Sequence, residues 1–292
     1  MKESVLCLRC QRPASEKLYA SLPNVVRCEC GFVYTSPRMS KESLRGFYSQ
    51  AYFENHSSEE MGYDNYVSDR HLVEKTLTRR LKEIQNRWGL RPGKLLDVGC
   101  ATGFFLNVAR QMGWNVTGVE ISGYCCDYAK REFQLELHRG FFTEVALPDG
   151  SFNLITMWDY VEHSLTPDQD IERAFQLLAP GGLLVIATPD VGSLPAKIFK
   201  ENWIGFKEYE HLYYFTKGNL VSFLKRSHFK ILSTCHIGKY VSVKFFSKRL
   251  MTYSKFFGGL ADKISDLPFL KRINFYCNPQ DIIYIAAKKG SG

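Results

Sequence analysis

Apolar and polar positions alternate along this chain in two rhythms. Over residues 66–88, Val67, Leu72, Val73, Leu77, Leu81, Ile84 and Trp88 recur at helical spacing and predict an amphipathic helix. Residues 94–98 then bring Leu95, Leu96 and Val98 together, the short apolar run of a strand covered on both faces. Small residues follow it (Gly99, Ala101, Gly103), then a helix over 104–112 that Gly113 closes. The rhythm repeats: strands within 114–122, 135–138, 152–157 and 183–188, helices over 124–132 and 171–178. Thr216 caps a helix over 217–227, and strands over 230–237 and 281–287 complete the series. Strands alternating with helices predict an α/β domain built on a mainly parallel sheet.

Three segments fall outside this rhythm. Ser40 and Ser43 open a short capped helix ahead of Leu44. Residues 54–64 are polar and read as a loop. Between the last two strands, Val243, Phe246, Leu250, Tyr253, Phe257, Leu260 and Ile264 form one apolar stripe, with Lys244, Lys248, Arg249, Lys255 and Lys263 off it. A basic amphipathic helix fits a membrane surface, a cover over the core or a dimer interface.

Composition changes the picture in three places. With 45% hydrophobic and 23% charged residues, the 292-residue chain has ordinary globular balance. The net charge of +8 favours an acidic partner without choosing among phosphate sugar, lipid head group and nucleic acid. The positive charge is scattered, with no basic-aromatic module, which disfavours nucleic acid. The opening Met1-Lys2-Glu3 has no apolar h-region behind it, and no run approaches the roughly 18 apolar residues of a membrane span. A cytoplasmic enzyme is therefore expected, with peripheral contact at the inner membrane face through 241–266 as an option.

Nine cysteines are the third signal. Cys7 and Cys10 have knuckle spacing, and Cys28-Glu-Cys30-Gly31 supplies two more thiols with a turn. Four thiolates around one tetrahedral zinc is the expected arrangement, although the second pair is one residue shorter than usual. Disulfides and free thiols are the alternatives. Cys100, Cys125, Cys126, Cys235 and Cys277 sit in apolar or helical contexts and are expected to be buried.

The candidate chemistry lies in K-L-L-D-V-G-C-A-T-G (94–103). A dinucleotide fingerprint needs a third glycine where Phe104 stands. The spacing D-x-G-x-A-x-G resembles instead the first motif of class I S-adenosylmethionine-dependent methyltransferases. That resemblance implies a loop of Asp97, Gly99, Cys100, Ala101 and Gly103 around the methionine part of the cofactor. Glu120, at the end of the next strand and beside Ile121, would take the ribose, as an acid there does in nucleotide-binding folds. Phe142 stands where relatives carry an adenine-contacting acid, and would pack on the adenine face. The run L-P-D-G-S-F-N-L-I-T-M-W-D-Y-V-E-H-S (147–164) resembles the fourth motif of the same family and brings in Trp158, Glu162 and His163. L-A-P-G-G-L-L-V-I-A-T-P (178–189) is similar to the family again.

His163 is the first candidate for a general base and His211 the second, since imidazole titrates near neutrality. Shaping the pocket through backbone bonds is the other reading of His163, and a metal held with Glu162 a third. Glu210, Tyr213 and Tyr214 belong to an aromatic segment, 195–216, expected to cover the acceptor. The N-terminal cysteines and the following Tyr-Phe run resemble bacterial methyltransferases that carry a zinc ribbon, many of them encoded with polysaccharide, deoxysugar or secondary-metabolite genes. The expectation is a class I methyltransferase, Rossmann-like, whose seven-stranded sheet (91–237 with 281–288) ends on an antiparallel strand. A zinc-ribbon-like segment (1–50) and a helical linker (51–90) would precede the core (91–292). Its cofactors would be S-adenosyl-L-methionine and structural zinc, with Cys7, Cys10, Cys28 and Cys30 as ligands. Its acceptor would be a small molecule: a sugar, a sugar nucleotide or a lipid-linked one. An RNA methyltransferase and a non-catalytic scaffold are the rival classes.

Overall fold

The computed structural model describes residues 2–48, 70–253, 255–267, 270 and 273–290. The polar loop expected over 54–64, and Val67 of the predicted helix, lie outside the described residues. Five short strands come first: β1 (Lys2–Glu3), β2 (Glu16–Tyr19), β3 (Leu22–Arg27), β4 (Val33–Thr35) and β5 (Arg38–Met39). Helix α1 (Lys41–Phe47) follows, with the Ser40 side chain accepting from the Ser43 amide. Helix α2 (Arg70–Trp88) then presents Leu72, Leu77, Leu81 and Ile84 as its buried stripe.

The core alternates as its periodicity predicts: β6 (Lys94–Val98), α3 (Phe104–Gln111), β7 (Asn115–Glu120), α4 (Gly123–Phe133), β8 (His138–Arg139), β9 (Phe152–Trp158), α5 (Pro167–Leu177) and β10 (Leu178–Pro189). Then come α6 (Leu194–Phe199), β11 (Tyr213–Tyr214), α7 (Lys217–Arg226) and β12 (Phe229–His236). The strand expected at 135–138 is shorter and later, because only His138 and Arg139 pair with β7 while Leu135 is buried against α3 and α4. Helix α5 begins at Pro167, earlier than the apolar pattern implied, since proline suits a first helical position.

After β13 (Lys239–Ser242), the chain forms α8 (Val243–Tyr253), α9 (Lys255–Ser265), β14 (Asn274–Cys277) and β15 (Ile282–Lys289). The seven-stranded sheet runs β12-β15-β10-β9-β6-β7-β8, with β15 antiparallel to both neighbours and the rest parallel around β6. This is the class I methyltransferase order, with helices on both faces. The single basic helix expected over 243–264 is two helices. A Cβ on Gly258 would lie 2.3 Å from the Met251 Cα, so α9 folds back onto α8 at a glycine. The stripe is divided between them, and Phe246 and Ile264 stay exposed. Among the described residues no helix is long and apolar enough to cross a membrane.

The N-terminal strands do not stand apart. A strand of the core's own cover, β11, joins their sheet in the order β11-β4-β3-β2, pairing Tyr213 with Tyr34 and Tyr214 with Val33. Phe32, Tyr34 and Leu44 share one buried cluster with Leu96, Val98 and Ile155 of the large sheet. Cys100 and Cys125 are buried as expected, whereas Cys126, Cys235 and Cys277 are only half-buried.

Candidate functional site

The turn after β6 is held by backbone geometry. Gly99, Ala101 and Gly103 all have left-handed φ (69°, 46° and 82°), a conformation costly for the alanine. The Gly99 and Cys100 amides both donate to the Val119 carbonyl, at 2.9 and 3.2 Å. Glu120, at the end of β7, accepts from the Ala101 amide at 2.9 Å with one oxygen and from the Ser122 amide at 2.8 Å with the other. Its carboxylate thus ties the turn to the next strand and still has lone pairs for a ligand. Asp97 is 3% exposed and accepts from the Thr156 hydroxyl at 2.6 Å. Burial pushes its carboxyl up to about 8.

Two cavities open at the carboxyl ends of these strands, where open α/β sheets bind ligands. The first, about 230 Å³, is lined by Glu120, Ile121 and Phe142 from the core and by Lys41, Leu44 and Tyr48 from α1. The second, about 300 Å³, is lined by Asp97, Cys100, Trp158, Glu162, Glu210 and His211, among others. Four residues line both: Gly99, Ala101, Asp159 and His163. Asp159 too is left-handed, at φ 48°.

Two sequence expectations change here. Gly103 lines neither cavity: it caps α3 from behind, where a Cβ would sit 3.3 Å from the Ala129 Cβ. Tyr213 and Tyr214 do not face the acceptor side, because β11 is drawn into the N-terminal sheet. The Tyr213 hydroxyl accepts from Arg38 at 2.7 Å and donates to the Leu165 carbonyl at 3.2 Å instead. Conversely, the α1 wall and Arg80 of α2 were not legible, since no motif marks a helix whose role is set by where it docks.

At the junction two imidazoles meet edge to face, their ring centroids 4.7 Å apart. His163 Nδ1 lies 2.9 Å from the Glu210 carbonyl, and His211 Nδ1 lies 2.8 Å from the Gly205 carbonyl. A carbonyl only accepts, so each Nδ1 carries the proton and each Nε2 keeps its lone pair. Burial, more than any charge, lowers the pKa of His163; burial and then His163 take that of His211 well below its usual value. Both rings are therefore neutral. Glu162 is 2% exposed; one oxygen accepts from the Thr188 hydroxyl at 2.7 Å and the other has no partner among the described residues. Burial raises its pKa well above normal, with Asp159 adding to the effect. Donor atoms of Glu162, His163 and His211 all lie within 4.8 Å of one another, a set a divalent cation could accept.

A second donor set lies in the N-terminal module. Cys7, Cys10, Cys28 and Cys30 bring their Sγ atoms within 4.8 Å of one another, although the second pair is short. Gly31, at φ 81°, makes the turn that returns the chain, its amide donating to the Cys28 carbonyl at 2.8 Å. The closest S–S approaches, 3.4 Å and 3.6 Å, are too long for disulfides and suit thiolates around one ion.

Comparison with known proteins agrees with this architecture. The chain is similar to a SAM-dependent methyltransferase from Thermotoga maritima (17% identity, TM-score 0.53, 78% of this chain and 94% of that one). It is also similar to one from Archaeoglobus fulgidus (19% identity, TM-score 0.52, 75% and 94%). At these identities the likeness is one of fold. Among curated proteins, the ubiquinone biosynthesis O-methyltransferase of Caulobacter sp. (strain K31) is 31% identical over 123 residues, 40% of this chain and 49% of that protein. That of Coxiella burnetii is 32% identical over 114 residues, 37% and 49%. The chain spans about half the length of these relatives. A model of the methyltransferase domain matches residues 68–234, more than half of the chain, and on that ground the chain belongs to the methyltransferase-domain family.

Proposed function

We propose that the chain transfers the methyl group of S-adenosyl-L-methionine to a small molecule, a sugar or sugar nucleotide, with His163 and His211 at the transfer point. The observation that carries this reading is the position of His163, which lines both cavities and presents an unprotonated Nε2. The residues present fit the cofactor. Asp97 is a buried acid with no cation beside it among the described residues, and a cationic amine would restore its charge. Glu120, Ile121 and Phe142 line the cavity that would take the nucleoside. When bound, the cofactor supplies an electrophilic methyl on a sulfonium.

The protein's part is to align the acceptor and remove its proton. Trp158 and Trp203 wall the second cavity. His163 Nε2 takes the proton of an acceptor hydroxyl, and His211 stands next to it as the alternative base. Zinc at Cys7, Cys10, Cys28 and Cys30 would hold the N-terminal strands, which have little core of their own. A metal-assisted variant is the second reading, favoured by the Glu162 oxygen that lacks a partner. An aromatic acceptor would find aromatic walls in Phe105, Trp158 and Tyr240.

Calorimetric titration with S-adenosylhomocysteine tests the reading. Micromolar binding is expected, weakened about tenfold or more in Glu120→Ala. Folded protein that does not bind it would overturn the cofactor assignment. Mass-shift screening of sugar nucleotides and phenols, with and without chelator, then separates the acceptor classes and the role of metal.

A further inference from the structure

The second cavity has two electrostatic ends. Three of its acids, Asp97, Asp159 and Glu162, lie at or just beyond the ends of β6 and β9, Glu210 stands beside His211, and Asp281 lies toward Lys239 and offsets part of the charge there. Its other wall is built by α2, β13 and α8, and it carries Arg80, Lys239 and Arg249. The Tyr240 amide donates to the Thr76 hydroxyl at 2.9 Å, and this bond docks β13 on α2 and sets the three cations facing one space. Lys239 and Arg249 share one ring: Nζ lies 4.8 Å, and the guanidinium carbon 5.3 Å, from the Phe245 centroid. Arg80 lies 5.0 Å from the Trp158 ring and donates to the Gly238 carbonyl at 3.3 Å.

Among the described residues, neither Lys239 nor Arg249 has a carboxylate within 4.0 Å, whereas Lys207 has one and Lys244 two. Gathering like charges costs free energy that a bound anion returns. Lys239 is exposed as a residue, yet the walls around its ammonium, more than any charge, pull its pKa down to about 8; Arg249 and Arg80 add to this, and Asp159 and Asp281 oppose it. A carboxylate needs only one guanidinium, bound through two parallel bonds. Three cations from three elements match a group carrying more than one negative charge.

We propose that Arg80, Lys239 and Arg249 form an anion site that receives a phosphate or diphosphate on the methyl acceptor. This rests on the methyl-transfer reading of the cavity, and it deepens that reading by naming the acceptor's chemistry. The phosphate sits at the β13–α8 wall, and the atom to be methylated lies toward His163. The segment read in sequence as a basic amphipathic helix thus supplies one of the three counter-charges, Arg249.

Inorganic pyrophosphate is titrated calorimetrically into the full chain, with and without saturating S-adenosylhomocysteine. Wild-type protein is expected to bind it in a salt-sensitive manner. Lys239→Gln/Arg249→Gln is expected to bind it about tenfold more weakly or worse, with unchanged affinity for S-adenosylhomocysteine. Should the double variant fail to fold by circular dichroism, Arg249→Gln alone serves. Equal pyrophosphate affinity in variant and wild type would overturn the anion site, as would no pyrophosphate binding by protein that binds S-adenosylhomocysteine. Pyrophosphate binding without S-adenosylhomocysteine binding would keep the anion site and overturn methyl transfer. Two further ligands identify the source. Tighter binding of uridine diphosphate than of pyrophosphate marks a soluble nucleotide acceptor. Sedimentation with phosphatidylcholine vesicles containing polyprenyl diphosphate, lost in the variant, marks a lipid-linked one.

Discussion

His163 shows how much a residue's chemistry depends on what holds it. A histidine after a strand carries no information about its tautomer; the Glu210 carbonyl at 2.9 Å supplies it. Replacing His163 by alanine is expected to lower kcat about a hundredfold while leaving S-adenosylhomocysteine affinity unchanged. Turnover equal to wild type at every pH would leave the ring only a shaping role. Because burial lowers both histidine pKa values, the two rings stay neutral through pH 6.5, and kcat should fall only on more acid titration. The same sign governs stability. The unfolded chain takes up protons near pH 6.5 that the folded one refuses, so this contribution is full above 6.5 and is lost as pH falls. Asp97 gives the opposite test. Its carboxyl, at about 8, is protonated at pH 7 in the free protein, so a cationic amine beside it should expel a proton. Titrations with S-adenosylhomocysteine in buffers of different ionisation enthalpy should show proton release at pH 7; a buffer-independent heat would mean Asp97 does not meet the amine.

Among the elements, α8 and α9 depart furthest from their sequence pattern. Seven apolar residues at spacings of three and four describe one long helix, and a long basic helix would lie on a surface. Gly258 instead admits α9 to within contact of the α8 backbone. Lys244 then pairs with Asp262 at 3.1 Å and Asp266 at 3.0 Å, which neutralises part of the basic face. These pairs are exposed and contribute little energy. The close approach matters more. Gly258→Ala must push the two helices apart, at a cost of about 1–3 kcal/mol, read as a lower melting temperature. An unchanged melting temperature would mean that the approach of α9 onto α8 contributes nothing. The variant should weaken pyrophosphate binding more than S-adenosylhomocysteine binding, since α8 lines only the second cavity.

At the scale of the whole molecule, the N-terminal strands and the first cavity are joined through β11 and α1. The four-cysteine strands share a sheet with β11, and α1, which follows them, lines the first cavity with Lys41, Leu44 and Tyr48. One zinc per chain is expected by elemental analysis, and Cys28→Ser should lose it. Removing the metal with a chelator should loosen α1 and weaken S-adenosylhomocysteine binding several-fold. Equal affinity before and after removal would mean that α1 is held by its own packing through Leu44. The mixed core supports the coupling: Phe32 and Tyr34 pack with Leu96 and Val98 in one cluster.

Several features were determined by the sequence alone. The strand-turn-helix order around Asp97, the acid at Glu120, the seven core strands and the spacing within each cysteine pair all follow from patterns within a few residues. Apolar periodicity, helix caps and glycine turns act at that range, so they are legible one segment at a time. The tertiary structure alone decided which distant segments meet. It set His163 against His211, brought α1 to the wall of the first cavity, drew Tyr213 and Tyr214 into the N-terminal sheet and placed Lys239 and Arg249 at the wall of the second cavity. Each of these contacts closes a long loop. Its free energy comes from surface buried between segments whose local patterns are equally satisfied apart.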